Sequence, residues 1–270
     1  GDADAARQVD EIKRQTKMLA LELKVKGLIN IQYAIKDDEI YILEVNPRAS
    51  RTIPFVSKAI GVPLAKLAAK IMAGMTLEEL GFTQEIELTH YSVKEAVFPF
   101  LKFVGADVIL GPEMLSTGEV MGLSDDFGMA FAKSQIAAET HLPMRGTVFI
   151  SVRDADKPKA VLVGKKLHEL GFKILATRGT CIELIQNNVP SEFVRKVAEG
   201  RPNIVDMMIN GQVDMIINTT VGEQTIKDSF VIRRTALDRQ IPYATTIRGA
   251  AAMTKAIEAL QKKTVDVKAI

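Results

Sequence analysis

The chain has 270 residues, 47% of them hydrophobic and 25% charged, which suits one large domain or two ordinary ones with a sizeable core and excludes default disorder. A formal net charge of only +2, with Lys and Arg spread along the chain, argues against a protein built mainly to hold nucleic acid. The single cysteine, Cys181, leaves no internal disulfide, the charged N-terminus shows no apolar signal region, and no run approaches the roughly 20 apolar residues of a membrane span; the expectation is a cytoplasmic protein with no membrane partner.

Val9, Ile12, Thr16, Leu19 and Leu23 recur at spacings of three and four, predicting a helix that Gly27 ends. Two strand-like runs follow, 28–35 and 40–45, joined by the turn-forming KDDE. After an irregular stretch, a helix over 64–73 stops at Gly74, and Thr76 with Glu79 forms the capping box of a short helix over 76–80. Residues 88–131 mix short apolar runs with Gly and Pro and read as irregular β structure. From Gly146 onward, strand-like runs (TVFISVR, KILAT, VDMIINT, IPYAT) alternate with helical ones, the last over 250–260. That alternation predicts a parallel sheet with helices on both faces. The change of character sets a boundary within AAETHLPMRG, residues 137–146, between a first domain over 1–138 and a second over 139–270.

Strand side chains alternate between faces, so the two runs around KDDE test their own register. Ile29, Ile31, Tyr33, Ile35, Tyr41, Leu43 and Val45 occupy odd positions; Asn30, Gln32, Glu44 and Asn46 occupy even ones. Pairing even with even, with Gln32 opposite Glu44 around a three-residue loop, gathers every polar group on one face, whereas a two-residue loop mixes the faces. Gln32, Glu44 and Asn46 then form an oxygen-rich cluster suited to a hard cation such as Mg²⁺. Arg48 and Arg51 lie just past the strand, where forked guanidinium groups suit a phosphate or carboxylate. The same residues also fit a solvated sheet face with a polar edge.

The second half carries a different constellation. In open α/β sheets ligands sit beyond the carboxyl ends of the strands. Thr177, Gly179 and Thr180 fall where KILAT runs into a helix N-terminus, and Asn218, Thr219 and Thr220 end another strand. With Lys157 and Lys196 these groups read as a phosphate site, or as ordinary loop polarity with surface lysines. His90, His141 and His168 share no metal-ligand spacing with one another or with Cys181, and read with it and the scattered methionines as structural residues.

The stretch GLINIQYAIKDDEIYILEVNPRASRTIPFVSKAIGVPLAKLAAKIMAG, with YSVKEAVFPF and LGPEMLSTGEVMG, resembles the end of the second ATP-grasp domain of carbamoyl-phosphate synthase large subunits. The likeness runs from about residue 15 to about residue 255, and the C-terminal part resembles the methylglyoxal synthase-like regulatory fold of that family. The fold implied is α/β: a partial ATP-grasp domain followed by a Rossmann-type parallel-sheet domain. The function implied is ATP-dependent phosphorylation of carbamate to carbamoyl phosphate for pyrimidine and arginine biosynthesis, a ligase reaction, under allosteric control. By resemblance, Gln32, Glu44 and Asn46 hold Mg²⁺ or Mn²⁺ on the ATP phosphates, while Arg48 and Arg51 face the transferred phosphoryl group or the carbamate. Ser151, Lys157, Thr177, Thr180, Lys196, Asn218 and Thr220 match an effector site for UMP or IMP. Glu95, Tyr243 and Thr245 match an ornithine site. The implied partners are the rest of the large subunit, a glutaminase small subunit and further copies in an oligomer.

Departures sharpen the reading. No Gly-x-x-x-x-Gly-Lys or Gly-x-Gly-x-x-Gly is present, and the family's adenine pocket and glycine-rich loop precede the matched segment, so the chain alone is expected to be catalytically incomplete. Methylglyoxal synthase carries a Gly-Gly-Asp loop where this chain has TVGEQ, which disfavours a free-standing lyase. Acetylglutamate-dependent relatives use a Trp, and this chain has none. Two alternatives remain: a non-catalytic nucleotide-binding regulatory module and, more remotely, that lyase.

Overall fold

The computed structural model describes residues 2–98, 116, 118–219 and 223–267, the side chains of 2–3 and 223–228 excepted. These residues form a mixed α/β protein whose chain divides into two compact units, within Gly1–Leu88 and Thr89–Val267. Among the described residues, no helix is long and apolar enough to cross a membrane.

The N-terminal unit contains helix α1 (Asp2–Glu22), the antiparallel pair β1 (Asn30–Lys36) and β2 (Glu39–Asn46), and helices α2 (Ile53–Ile60) and α3 (Leu64–Met72). The half-buried stripe of α1 runs through Ile12, Thr16 and Leu19, while Val9 and Leu23 at its ends are exposed. The Thr16 and Tyr33 hydroxyls, 2.9 Å apart, join α1 to β1. Helix α2 stands where the sequence suggests irregular chain. Its apolar pattern is too short for a periodicity test, yet Pro54 sits in the first turn, where no amide donor is needed. Left-handed Gly61 then closes it by donating to the Ser57 carbonyl. The capping-box bonds of Thr76 and Glu79 form at 2.8 and 3.2 Å, but the chain there only turns instead of making the short helix expected. One reciprocal cap does not offset the cost of nucleating so short a helix.

The C-terminal unit opens with β3 (Tyr91–Val97) and β4 (Gly118–Ser124), an antiparallel pair, followed by helix α4 (Phe127–Ala137). The first part of the LGPEMLSTGEVMG motif lies outside the described residues. Helix α4 takes the place of the irregular β structure expected at its positions. Asp126 caps it, accepting from the Met129 amide at 2.8 Å. Two glycines let α4 come close to its neighbours: a Cβ at Gly122 would lie 1.9 Å from the Ala130 carbonyl oxygen, and one at Gly128 would lie 2.5 Å from that of Lys255.

Five parallel strands make the main sheet, in the order β7 (Glu192–Phe193), β6 (Phe172–Ala176), β5 (Gly146–Ser151), β8 (Met215–Asn218) and β9 (Tyr243–Ala244). Helices α5 (Lys157–Glu169), α6 (Arg178–Gln186) and α9 (Ile247–Lys262) supply one core with Val148, Ile150 and Ile217. Helices α7 (Ile204–Ile209) and α8 (Glu223–Asp238) cover the other face, against Phe149, Leu175 and Ile216. Burial on both faces is why these strands read as continuous apolar runs and not as alternating ones.

Candidate functional site

Two polar constellations are built, one in each unit. In the N-terminal unit Gln32 pairs with Glu44 and Asn30 with Asn46, as the polar pattern requires. The loop is different. Lys36 pairs with Glu39 across a two-residue turn in which Asp37 and Asp38 have φ of 52° and 63°. Such a turn pairs odd with even, and a register shift between Gln32 and Tyr33 converts that pairing to even with even, leaving Leu43 as the extra residue of a β-bulge. Tyr41 and Leu43 therefore do not join the apolar face. Ile42 and Ile40 take those places opposite Tyr33 and Ile35, and Tyr41 and Leu43 are exposed.

Gln32 and Glu44 are exposed and Asn46 is half-buried. At the base of the hairpin, Arg48 donates from Nη2 to Asn46 Oδ1 at 3.4 Å and from Nη1 to the Ala49 carbonyl at 3.0 Å. Arg51 is exposed in the turn before α2. Among the described residues no three His, Cys, Asp or Glu side chains cluster as a metal site. A carboxylate beside two amide oxygens still suits a hard cation that keeps phosphate or water oxygens as its other ligands, so the donor set fits Mg²⁺ or Mn²⁺.

The second constellation lies at the carboxyl ends of β5, β6 and β8. Ser151 Oγ and Thr177 Oγ1 are 3.1 Å apart, and Thr180 Oγ1 accepts from the Val152 amide at 3.3 Å. Thr177 occupies the N-cap of α6 without capping it through its side chain, because its hydroxyl meets Ser151 instead. First-turn amides of α6 are thereby left facing outward, an arrangement that favours an anion. The Lys157 ammonium pairs with Asp154 at 2.9 Å and lies so near that turn that a Cβ on Gly179 would be 3.3 Å from it. Thr177, Thr180, Asn218 and Thr219 are all buried, and Asn218 Nδ2 has no hydrogen-bond partner among the described residues. A buried donor without a partner carries an energetic cost that a ligand acceptor would relieve.

Not every expected residue joins this group. Lys196 is exposed beyond β7, its backbone amide donating to Glu199 at 2.9 Å, and among the described residues no hydrogen bond joins its ammonium to Ser151, Thr177 or Asn218. Thr220 lies outside the described residues. Glu95, on β3, is half-buried; burial raises its pKa above the ordinary carboxylate range, partly opposed by a hydrogen bond from Gln135. Tyr243 ends the sheet on β9, its hydroxyl donating to the Asn218 carbonyl at 3.5 Å, and exposed Thr245 follows it. The pair Arg153 and Asp156, missed in the sequence, sits in the same crevice, with Nε 2.7 Å from Oδ2. Its only signal is the three-residue spacing of opposite charges after a strand.

Cys181 is buried beside Ser191, and its place in the core matches the structural role expected of it.

Residues 4–80 match the family model for the carbamoyl-phosphate synthase L chain, ATP binding domain, and residues 159–245 match the MGS-like domain. Over 97% of its length the chain is 53% identical to the carbamoyl phosphate synthase large chain of Archaeoglobus fulgidus and 54% identical to that of Methanothermobacter thermautotrophicus. The large chain of Pseudomonas putida is 56% identical over 95% of the chain. The chain spans about a quarter of these relatives, 24%, 25% and 24% of their lengths.

Proposed function

From a chain that is, along nearly its whole length, a relative of carbamoyl phosphate synthase large chains, we propose the following reading: it is the C-terminal part of such a large chain, joining part of an ATP site to an allosteric effector site. Residues 1–138 are the end of the ATP-grasp domain and residues 139–270 the regulatory domain. The observation that carries the effector half is the buried Asn218 Nδ2, unpartnered among the described residues in a crevice already furnished with hydroxyls, helix amides and Lys157.

In that crevice the phosphate of UMP or IMP accepts from the α6 amides, Thr177 and Thr180, with Lys157 exchanging Asp154 for the ligand. Asn218 and Ser151 contact the same ligand, and Lys196 and Thr220 belong to the same ligand set. Ornithine is held by Glu95, Tyr243 and Thr245. An effector shifts activity only to the extent that it binds two states with different affinity.

In the N-terminal unit Gln32, Glu44 and Asn46 hold Mg²⁺ or Mn²⁺, which neutralises charge on the ATP phosphates when bound. Arg48 and Arg51 orient the transferred phosphoryl group and the carbamate that accepts it. Positioning and charge neutralisation supply most of the catalysis in such transfers. The remaining nucleotide contacts come from the rest of the large subunit, a glutaminase subunit supplies ammonia, and the complete enzyme is an oligomer working in the cytoplasm.

Titration calorimetry with UMP, IMP and ornithine tests the regulatory half. Nucleotide binding that weakens in Lys196→Ala supports it, and absence of binding by all three overturns it. For the catalytic half, carbamoyl phosphate synthesis by a complete large chain should be lost in Glu44→Gln. Undiminished synthesis would refute the metal assignment.

A further inference from the structure

Arg153 and Asp156 belong to none of the ligand sets assigned above, yet they close the end of the crevice. Strands β5 and β8 are parallel neighbours, and the chain leaves them toward opposite faces of the sheet, to α5 and to α8. Neighbouring strands of this kind part beyond their ends, and the gap is where ligands enter. Here the gap is laced. The Thr219 amide donates to the Ser151 carbonyl at 3.1 Å, and the Arg153 amide donates to Thr219 Oγ1 at 3.2 Å. Asp156, buried in the short turn before α5, accepts from Arg153 Nε at 2.7 Å, and the Thr219 hydroxyl helps to hold its pKa down. Thr219 thus meets the end of β5 through both its amide and its hydroxyl oxygen, and Asp156 fixes the Arg153 that donates to that oxygen, so these bonds serve as a tie between two strand ends.

We propose that Asp156 is a positioning residue for the effector site: through Arg153 and Thr219 it holds the end of β8, and with it Asn218, against the end of β5 and Ser151 at the spacing a nucleoside monophosphate requires. The proposal rests on the reading of this crevice as an effector site. A carboxylate beside a phosphate site would by charge alone weaken anion binding. Arg153 offsets that charge, and burial, which by itself would raise the Asp156 pKa, is outweighed by the hydrogen bonds of Arg153 and Thr219 and the charges of Arg153 and Lys159, leaving it below the ordinary range. Charge and positioning therefore predict opposite signs when Asp156 is removed.

The test is calorimetric titration of UMP and IMP into the full 270-residue chain and into Asp156→Ala, Thr219→Val, the double variant and Thr219→Ser. Asp156→Ala and Thr219→Val should each bind about tenfold more weakly, since each removes one hydrogen bond of the tie through Arg153. The double variant should lose no more than about twofold beyond either single one, because both break the same tie. Thr219→Ser keeps the hydroxyl and should bind like the parent, which a general packing defect at this position would not allow. Binding by Asp156→Ala as tight as or tighter than the parent's, or losses that multiply to about a hundredfold in the double variant, overturns the proposal. Should Asp156→Ala fail to fold, the contrast between Thr219→Val and Thr219→Ser decides alone. No binding by the parent chain removes the effector reading and this proposal together, whereas binding by the parent with an indifferent Asp156→Ala removes only the proposal.

Discussion

The two units bury their apolar side chains very differently. In the C-terminal unit Phe149, Ile150, Ile216 and Ile217 are wholly enclosed, whereas in the N-terminal unit Ala59 and Ala68 are the only buried residues among those described. Ile35, Ile42 and Leu43 there face solvent. The two sites follow suit. Hairpin residues are aligned by backbone register and stand in the open; crevice residues are fixed by burial and by bonds to one another. A site of the second kind is preorganised by burial and internal bonds, while the first depends on backbone register alone.

Matched substitutions should make that contrast measurable. The largest effect is expected from Phe149→Ala, which empties a fully buried position and should cost about 3–5 kcal/mol in urea denaturation. A loss below about 1 kcal/mol would contradict the packing described. Next is Asn218→Leu, of similar volume. Nucleotide binding should fall by about 2 kcal/mol, roughly thirtyfold, while stability rises by about 1 kcal/mol because a buried donor no longer lacks a partner. A matching fall in stability would mean that the amide serves the fold and not a ligand.

The counterparts in the hairpin, Leu43→Ala and Glu44→Gln, replace exposed groups and should stay within about 0.5 kcal/mol of the parent. A larger loss would show that the open face is packed in solution. The smallest effect concerns protonation. Because the Glu95 pKa is raised in the folded chain, its contribution to stability is fully present below the ordinary carboxylate pKa and is lost as pH rises through the raised value. Asp156, lowered instead, contributes above the ordinary value and loses that contribution as pH falls through its own. Glu95→Gln should therefore be more stable than the parent at about pH 7 and lose that advantage near about pH 4, as followed by denaturation midpoints. An advantage independent of pH would assign the effect to packing.

The sheet of the C-terminal unit was legible because strands buried on both faces leave continuous apolar runs separated by helical periods. Helix α4 was not: Gly122 and Gly128, which read as breakers, are where backbone is approached closely. Helix α7, six residues long, is too short to display a period. In the hairpin, residue types revealed the pairing of Gln32 with Glu44, since a polar set tolerates only one face. They did not reveal the bulge, because Tyr41, Ile42 and Leu43 are all apolar and parity alone cannot say which is extra. In the crevice, Thr177, Thr180 and Asn218 were visible as polar residues ending apolar strands. The Asp156 tie was hidden, because its partners come from two strand ends far apart in the chain.

That spare residue in the hairpin has a consequence of its own. It makes the tip and the base of the ribbon answer to different constraints: the two aspartates set the phase at the tip, and Gln32, Glu44 and Asn46 set it at the base. Leu43 absorbs the difference, as a leap day keeps two calendars in step. The tip keeps its two-residue turn without carrying a carboxylate to the wrong side, and deleting Leu43 would merge the two constraints into one unbroken register that still sets Glu44 opposite Gln32.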